Sequence, residues 1–271
     1  MSIITIKDVY KEYETNKSIL KGLNLEIDQG EFIVLVGPSG CGKTTLLKMI
    51  NKLIPVTSGE IYVEGKNIEE WNTIKLRSSI GYVIQQIGLF PHMTIENNIG
   101  YVPSIKGMKK EAYNTRVSDL IHLVGMNDTY LDRYPSELSG GQRQRIGVAR
   151  ALASDPDIIL MDEPFGAVDE IARRHLQDEL KEIHKKLKKT IVFVTHDIEE
   201  ALKLGTKIVL MHNGKIEQVG TPEEVVFKPK TPFVKDFFGI KGFKARLDEE
   251  ALEKIFNQVI NGERPLSEVL Q

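Results

Sequence analysis

Apolar residues in this chain follow two periods that take turns along its length. Phe32-Ile-Val-Leu-Val36, Ile158-Ile-Leu-Met161 and Thr190-Ile-Val-Phe-Val-Thr195 are short unbroken runs, the pattern of strands buried on both faces. Ile3 to Val9 and residues 59–65 alternate apolar with polar positions, as edge or half-buried strands do, and Asn24–Ile27 and Ile80–Ile84 complete the strand set. Leu46, Leu47, Met49, Ile50, Leu53 and Ile54 recur at helical spacing. So do Leu176, Leu180, Ile183 and Leu187, within a helix expected from about Glu170 to Lys189, and another helix is expected near Glu199 to Leu204. Lys207–Met211 and Lys215–Val219 flank His212-Asn-Gly214, a hairpin signal because Asn-Gly accepts the positive φ of a tight turn. Thr221-Pro-Glu-Glu224 is a capping box with proline at the first helical position.

From about Ile87 to Ala153 the strand rhythm fades and helical patterns take over. Val117, Leu120, Ile121 and Val124 form a stripe within Lys109–Val124. The segment reads as an all-helical insertion in an α/β core that ends near Gly239. Leu247 to Leu270 reads as one or two short amphipathic helices, either a packing extension or a regulatory or dimerising element.

Composition narrows the picture only at a few points. Apolar content of 41% in 271 residues supports a real core. With 36 Lys+Arg against 38 Asp+Glu the chain has no bulk basic character, so no nucleic-acid partner is expected. A single cysteine, Cys41, excludes a disulfide framework and fits a reducing cytosol. No signal peptide is expected, and no run approaches the roughly 18 apolar residues of a membrane helix. Any work at a membrane would go through a partner.

The chemistry begins after the first buried run. Gly37-Pro-Ser-Gly-Cys-Gly-Lys-Thr44 reads G-x-x-x-x-G-K-T between a strand and a helix, the context of a phosphate-binding loop. Gly37, Gly40 and Gly42 let the backbone curl around phosphate, with Pro38, Ser39 and Cys41 between them. The helix start adds partial positive charge. Lys43 would reach the β- and γ-phosphates of a nucleotide, Thr44 would ligate Mg²⁺, and Thr45 belongs to the same nucleotide-binding end. Ile158–Met161 is followed at once by Asp162 and Glu163. An Asp at a strand end beside such a loop can hold the Mg²⁺ shell, and Glu163 is then placed as general base for the attacking water. His196 ends another strand; in a parallel sheet it falls on the same edge, where it can donate to the γ-phosphate or be an ordinary surface histidine. Tyr13, read as lying on a polar loop between the first two strands, can stack on a base or cover the sheet rim. Leu138-Ser-Gly-Gly-Gln142 opens a helical segment, a second anion-binding helix start. One chain has no use for two of these on different subdomains, whereas a head-to-tail pair of chains has.

Taken together, residues 1 to about 240 resemble the nucleotide-binding subunit of an ABC transporter, with the family's motifs in the family's order. The resemblance implies a P-loop NTPase (RecA-like) α/β core with an antiparallel β subdomain and an inserted α-helical subdomain over about 87–155. Residues 241–271 would be a short helical extension without the pair of CBS modules that many osmoprotectant ATPases carry. It implies base stacking by Tyr13, a signature sequence in Ser139, Gly140, Gly141 and Gln142, and a catalytic base in Glu163. Gln85 would touch Mg²⁺ and water and link to the membrane subunit, Asp169 would make the dimer contact, and His196 would be the switch histidine. Tyr82 to Ile95, Tyr134 to Gln142 and Gly147 to Leu152 further resemble importers of glycine betaine, carnitine or choline. Export, or another cargo such as ergothioneine, is the alternative. The expected assembly is a homodimer on integral membrane permease subunits, at the cytoplasmic face, served by an external substrate-binding protein. A GTPase or nucleotide kinase is disfavoured by the lack of an N-K-x-D motif.

Overall fold

Two sheets carry the architecture in the computed structural model, which describes residues 2–13, 17–85, 88–166, 168–246 and 249–265. Gln86, the start of the insertion at Ile87, Ala167, and the two ends of the C-terminal stretch at Leu247 and Leu270 lie outside the described residues.

The first sheet is antiparallel. Its strands are β1 (Ser2–Tyr13), β2 (Lys17–Asp28), β4 (Ser58–Val63) and β5 (Lys66–Asn67), in the order β2-β1-β4-β5. The second runs β10-β9-β3-β8-β7-β6, from β3 (Phe32–Val36), β6 (Ile80–Val83), β7 (Ile158–Asp162), β8 (Thr190–Val194), β9 (Lys207–His212) and β10 (Lys215–Gly220). Five of these strands are parallel and β10 closes the edge as a hairpin. Asn213 and Gly214 take φ of 49° and 80°, the turn that Asn-Gly favours.

The unbroken runs are β3, β7 and β8, buried along their whole lengths because both faces are covered. Side chains alternate between the two covers. Ile33, Leu35, Leu160, Val192 and Val194 face the antiparallel sheet and α1 (Lys43–Ile50). Phe32, Val34, Met161 and Phe193 face the helical layer. That layer includes α3 (Ile95–Ile105), α4 (Lys110–Leu123), α5 (Gly140–Leu152), α6 (Glu170–Leu187), α7 (Ile198–Leu204) and α9 (Pro232–Lys244). Shorter α2 (Thr73–Ser79) precedes β6, α8 (Pro222–Phe227) follows β10 behind its Thr221 capping box, and α10 (Glu249–Ile260) ends the described chain. Among the described residues between β6 and β7 there is no strand. Gly239 breaks the helical geometry of α9, with φ 41° and ψ −142°.

The first hairpin departs from the sequence reading. Tyr13 is not on a loop; it ends β1 and pairs with Lys17. The strand continues past Val9 through its backbone pairing with β2, and the inward position there is filled by Lys11, polar by type yet buried. A bulge at Asp8, with φ 47°, shifts the register just before it and blurs the alternation.

Candidate active site

Parallel strands point their C-terminal ends to one edge, and this edge collects the chemistry. β3 leads into the phosphate loop, β7 ends at Asp162, β8 ends one residue before Thr195-His196, and β6 ends two residues before Gln85. The loop's shape is set by its surroundings. A Cβ on Gly37 would lie 2.1 Å from the Met211 carbonyl oxygen, and Gly42, at φ 105°, has room only for hydrogen beside Leu20. Gly42 caps α1 with no side-chain hydrogen bond, so the first N–H groups of that helix are left to an anion. Pro38, Ser39 and Gly40 are exposed at the tip, while Cys41 and Lys43 are buried. Burial pushes the Cys41 thiol up, which makes it a packing residue and not a nucleophile. The Lys43 ammonium donates to the Gly37 and Pro38 carbonyls at 2.8 and 3.1 Å, held across the loop mouth.

Beside it the Thr44 hydroxyl donates to Asp162 Oδ1 at 2.7 Å. Burial pushes the Asp162 carboxyl up, opposed by that hydrogen bond and by the charges of Lys48 and Lys43. Among the described residues no group of three or more His, Cys, Asp or Glu side chains could hold an ion alone. Thr44 and Asp162 nonetheless fit Mg²⁺, a hard cation that uses one or two carboxylates and completes its shell with water and substrate phosphate. Glu163 sits in the left-handed region at φ 44°, unusual for a non-glycine and held by the hydrogen bond of its N–H to Val194. Its Oε2 takes two neighbours, Gln85 Nε2 at 3.4 Å and His196 Nδ1 at 3.3 Å.

Three further residues brace the histidine turn, and the sequence reading missed them. Thr195 Oγ1 donates to Glu200 Oε2 at 2.6 Å and accepts from the Asp197 N–H, while Gln177 Nε2 donates to Glu200 Oε1 at 3.2 Å. Burial pushes the Glu200 carboxyl up. The available signal was Asp197 followed by Glu199-Glu200, an N-cap pattern, and Asp197 does accept from both N–H groups.

The signature residues form a second, separate group. Ser139 caps α5 and Gln142 returns the bond, closing a capping box at 3.3 and 2.9 Å. Asp169 caps α6 through the Ala172 N–H. Ser139, Gly141, Gln142, Asp169 and His175 line one open hollow, with Gly140 at the same helix start. Among the described residues no hydrogen bond or ion pair joins this group to the phosphate loop. Tyr13 stands apart at the tip of β1, nearly half exposed.

A mostly parallel sheet with a phosphate loop after its third strand and an acidic strand end beside that loop defines a P-loop NTPase. A family model described as "ABC transporter" matches residues 20–166. The chain is 50% identical over 273 residues to the glycine betaine/carnitine/choline transport ATP-binding protein OpuCA of Bacillus subtilis, covering 99% of this chain and 72% of the relative. It is 49% identical over 278 residues to the choline transport ATP-binding protein OpuBA of the same organism, with the same coverage. Among solved structures, a dimeric ATP-binding cassette bound to ADP and Pi matches with TM-score 0.72 at 34% identity, over 80% of this chain and 98% of that one. The chain belongs to the ABC transporter family as an ATP-binding subunit, and it hydrolyses ATP to drive transport.

Proposed function

We propose that two copies of this chain pair head to tail and power import of a quaternary ammonium osmoprotectant such as glycine betaine, carnitine or choline. The observation that carries the catalytic half is the shared Glu163 oxygen. Gln85 and His196 both approach it, next to the Thr44–Asp162 pair. In this reading Lys43, Thr45 and the loop N–H groups hold the triphosphate. Thr44, Asp162 and Gln85 would hold Mg²⁺, which would supply charge neutralisation on the phosphate. Glu163 takes the proton from the attacking water, and His196 donates to the γ-phosphate. Ser139, Gly140, Gly141 and Gln142 of the other copy close over that phosphate, and Asp169 makes the contact between copies.

The named cargoes of the relatives support the substrate class. No helix among the described residues is long and apolar enough to cross a membrane. As in the relatives named as transport ATP-binding proteins, the subunit would act with permease partners, here from the cytoplasmic face, with a substrate-binding protein outside. An open groove lined by Tyr82, Ile84, Phe90 and Tyr101, next to Gln85, supports a seat for the permease. Residues 1–240 are read as the nucleotide-binding domain with its helical subdomain at about 87–155, and 241–271 as an extension; the break in α9 at Gly239 supports that boundary.

The test is Glu163→Gln. Turnover should fall by on the order of 10²–10⁴, the usual contribution of a positioned base, while ATP binding persists and a dimer accumulates on sizing with light scattering. Wild-type turnover in that variant would refute the assignment. For the cargo, ATP hydrolysis with the permease in proteoliposomes should rise on adding binding protein loaded with glycine betaine, carnitine or choline, and no response to any of them refutes the substrate class.

A further inference from the structure

We propose that Lys11 is a positioning residue for nucleotide recognition: its buried ammonium holds the Tyr13 ring as a preformed base platform. The inference rests on the reading of Tyr13 as the base-stacking residue. Lys11 is only 7% exposed, unusual for a lysine. Burying an ammonium is costly unless partners replace its water. Two replacements are present. Lys11 Nζ donates to the Pro55 carbonyl at 2.9 Å and lies 5.0 Å over the centroid of the Tyr13 ring. Both partners bear on the nucleotide. Pro55 belongs to the segment that leaves α1, the helix begun by the phosphate loop. That segment is laced to β1 on either side of Lys11: Thr57 N–H donates to the Tyr10 carbonyl, and Glu12 N–H donates to Thr57 Oγ1, both at 3.0 Å.

The cation covers one face of the Tyr13 ring, and the ring is 45% exposed. An ammonium over one face of a tyrosine fixes the ring's orientation through the ring quadrupole, so the opposite face is presented without a search among rotamers. Recognition of the base would thus be tied, through Lys11 and Pro55, to the same helix that receives the phosphates. An apolar side chain at position 11 would keep the packing of the stem and lose this effect.

The experiment measures dissociation constants of the purified full chain for ATP and for inorganic tripolyphosphate, which has no base, by isothermal titration calorimetry. Lys11→Met should weaken ATP binding about three- to tenfold, the range expected for a cation–π contact, and leave tripolyphosphate binding unchanged. Lys11→Arg should stay within about twofold of wild type, since the guanidinium also stacks on aromatic faces. With Tyr13→Leu already in place, Lys11→Met should add little further loss. Should Lys11→Met fail to fold, Lys11→Gln, which keeps a donor but not the cation, is scored in the same way. Equal loss for ATP and tripolyphosphate, or no loss for either, overturns the assignment of Lys11. If Tyr13→Leu itself leaves ATP affinity unchanged, the base-stacking reading fails first; if Tyr13→Leu weakens ATP and Lys11→Met does not, only the role of Lys11 falls.

Discussion

The helix starts at Lys43 and Gly140 differ in what their own chain asks of them. At the first, glycine is demanded by the fold: a Cβ at Gly37 would collide with the Met211 carbonyl, and Gly42 is left-handed against Leu20. The helix end is uncapped by any side chain. At the second, a Cβ on Gly140 would meet nothing within 4 Å, and one on Gly141 would make only ordinary contact with Ala172. Neither glycine has positive φ, and the helix end is already capped by Ser139 and Gln142. A glycine pair that the folded chain does not need costs helix stability, which supports the proposal that it serves a group approaching from outside.

The strongest way to break this comparison is complementation between copies. Lys43→Ala and Ser139→Arg should each lose turnover by on the order of 10²–10³, as removal of a charge-stabilising group does. Mixed together, the two proteins form pairs with one intact composite site and should regain activity that neither has alone, in a coupled ATPase assay. No recovery on mixing, with mixed pairs present, would mean that each chain works by itself. Next comes the glycine contrast, read by thermal or urea unfolding. Gly37→Ala should cost about 3 kcal/mol, through backbone strain and a clash with a carbonyl that cannot move aside. Gly140→Ala should be neutral or stabilising by up to about 1 kcal/mol, while ATP-driven dimerisation is lost. Ser139→Ala should destabilise by about 1 kcal/mol through the lost cap, with ATP affinity of the single chain unchanged.

The smallest effect concerns the brace behind His196. The Glu200 carboxyl is pushed up in the fold, so its contribution to stability is present below its unfolded pKa and is lost as pH rises through its folded pKa. Glu200→Gln removes that loss. The Tm difference between Glu200→Gln and wild type should therefore move in the variant's favour between about pH 4.5, near the ordinary glutamate value, and pH 8. A difference independent of pH would show that Glu200 titrates alike in folded and unfolded chains.

Much of this was legible because strand ends and motifs coincide. Each continuous apolar run stops at a candidate site residue, so finding the buried strands also found the sheet edge where Asp162, Glu163 and His196 gather. The length of the first two strands was not legible. Their extent follows from backbone pairing, and the inward position at Lys11 is filled by a side chain that pattern reading scores as polar. The Thr195–Glu200–Gln177 network was hidden for another reason: its members are linked by side-chain hydrogen bonds across 23 residues, and no periodicity records such a link. The two-helix-start puzzle was visible in full, since it needed only motif order and separation.

The strand order has a mechanical consequence. β3, β8 and β7 are each clamped between two neighbours, so the phosphate loop, His196 and the acidic pair stand on a stiff frame. β6 is the outermost strand, bonded on one side only, and Gln85 hangs from its end beside the Tyr82–Phe90 groove. If the permease seats in that groove, as proposed above, a push there would reach Gln85 and its 3.4 Å contact with Glu163 through the one parallel strand that is bonded on a single side.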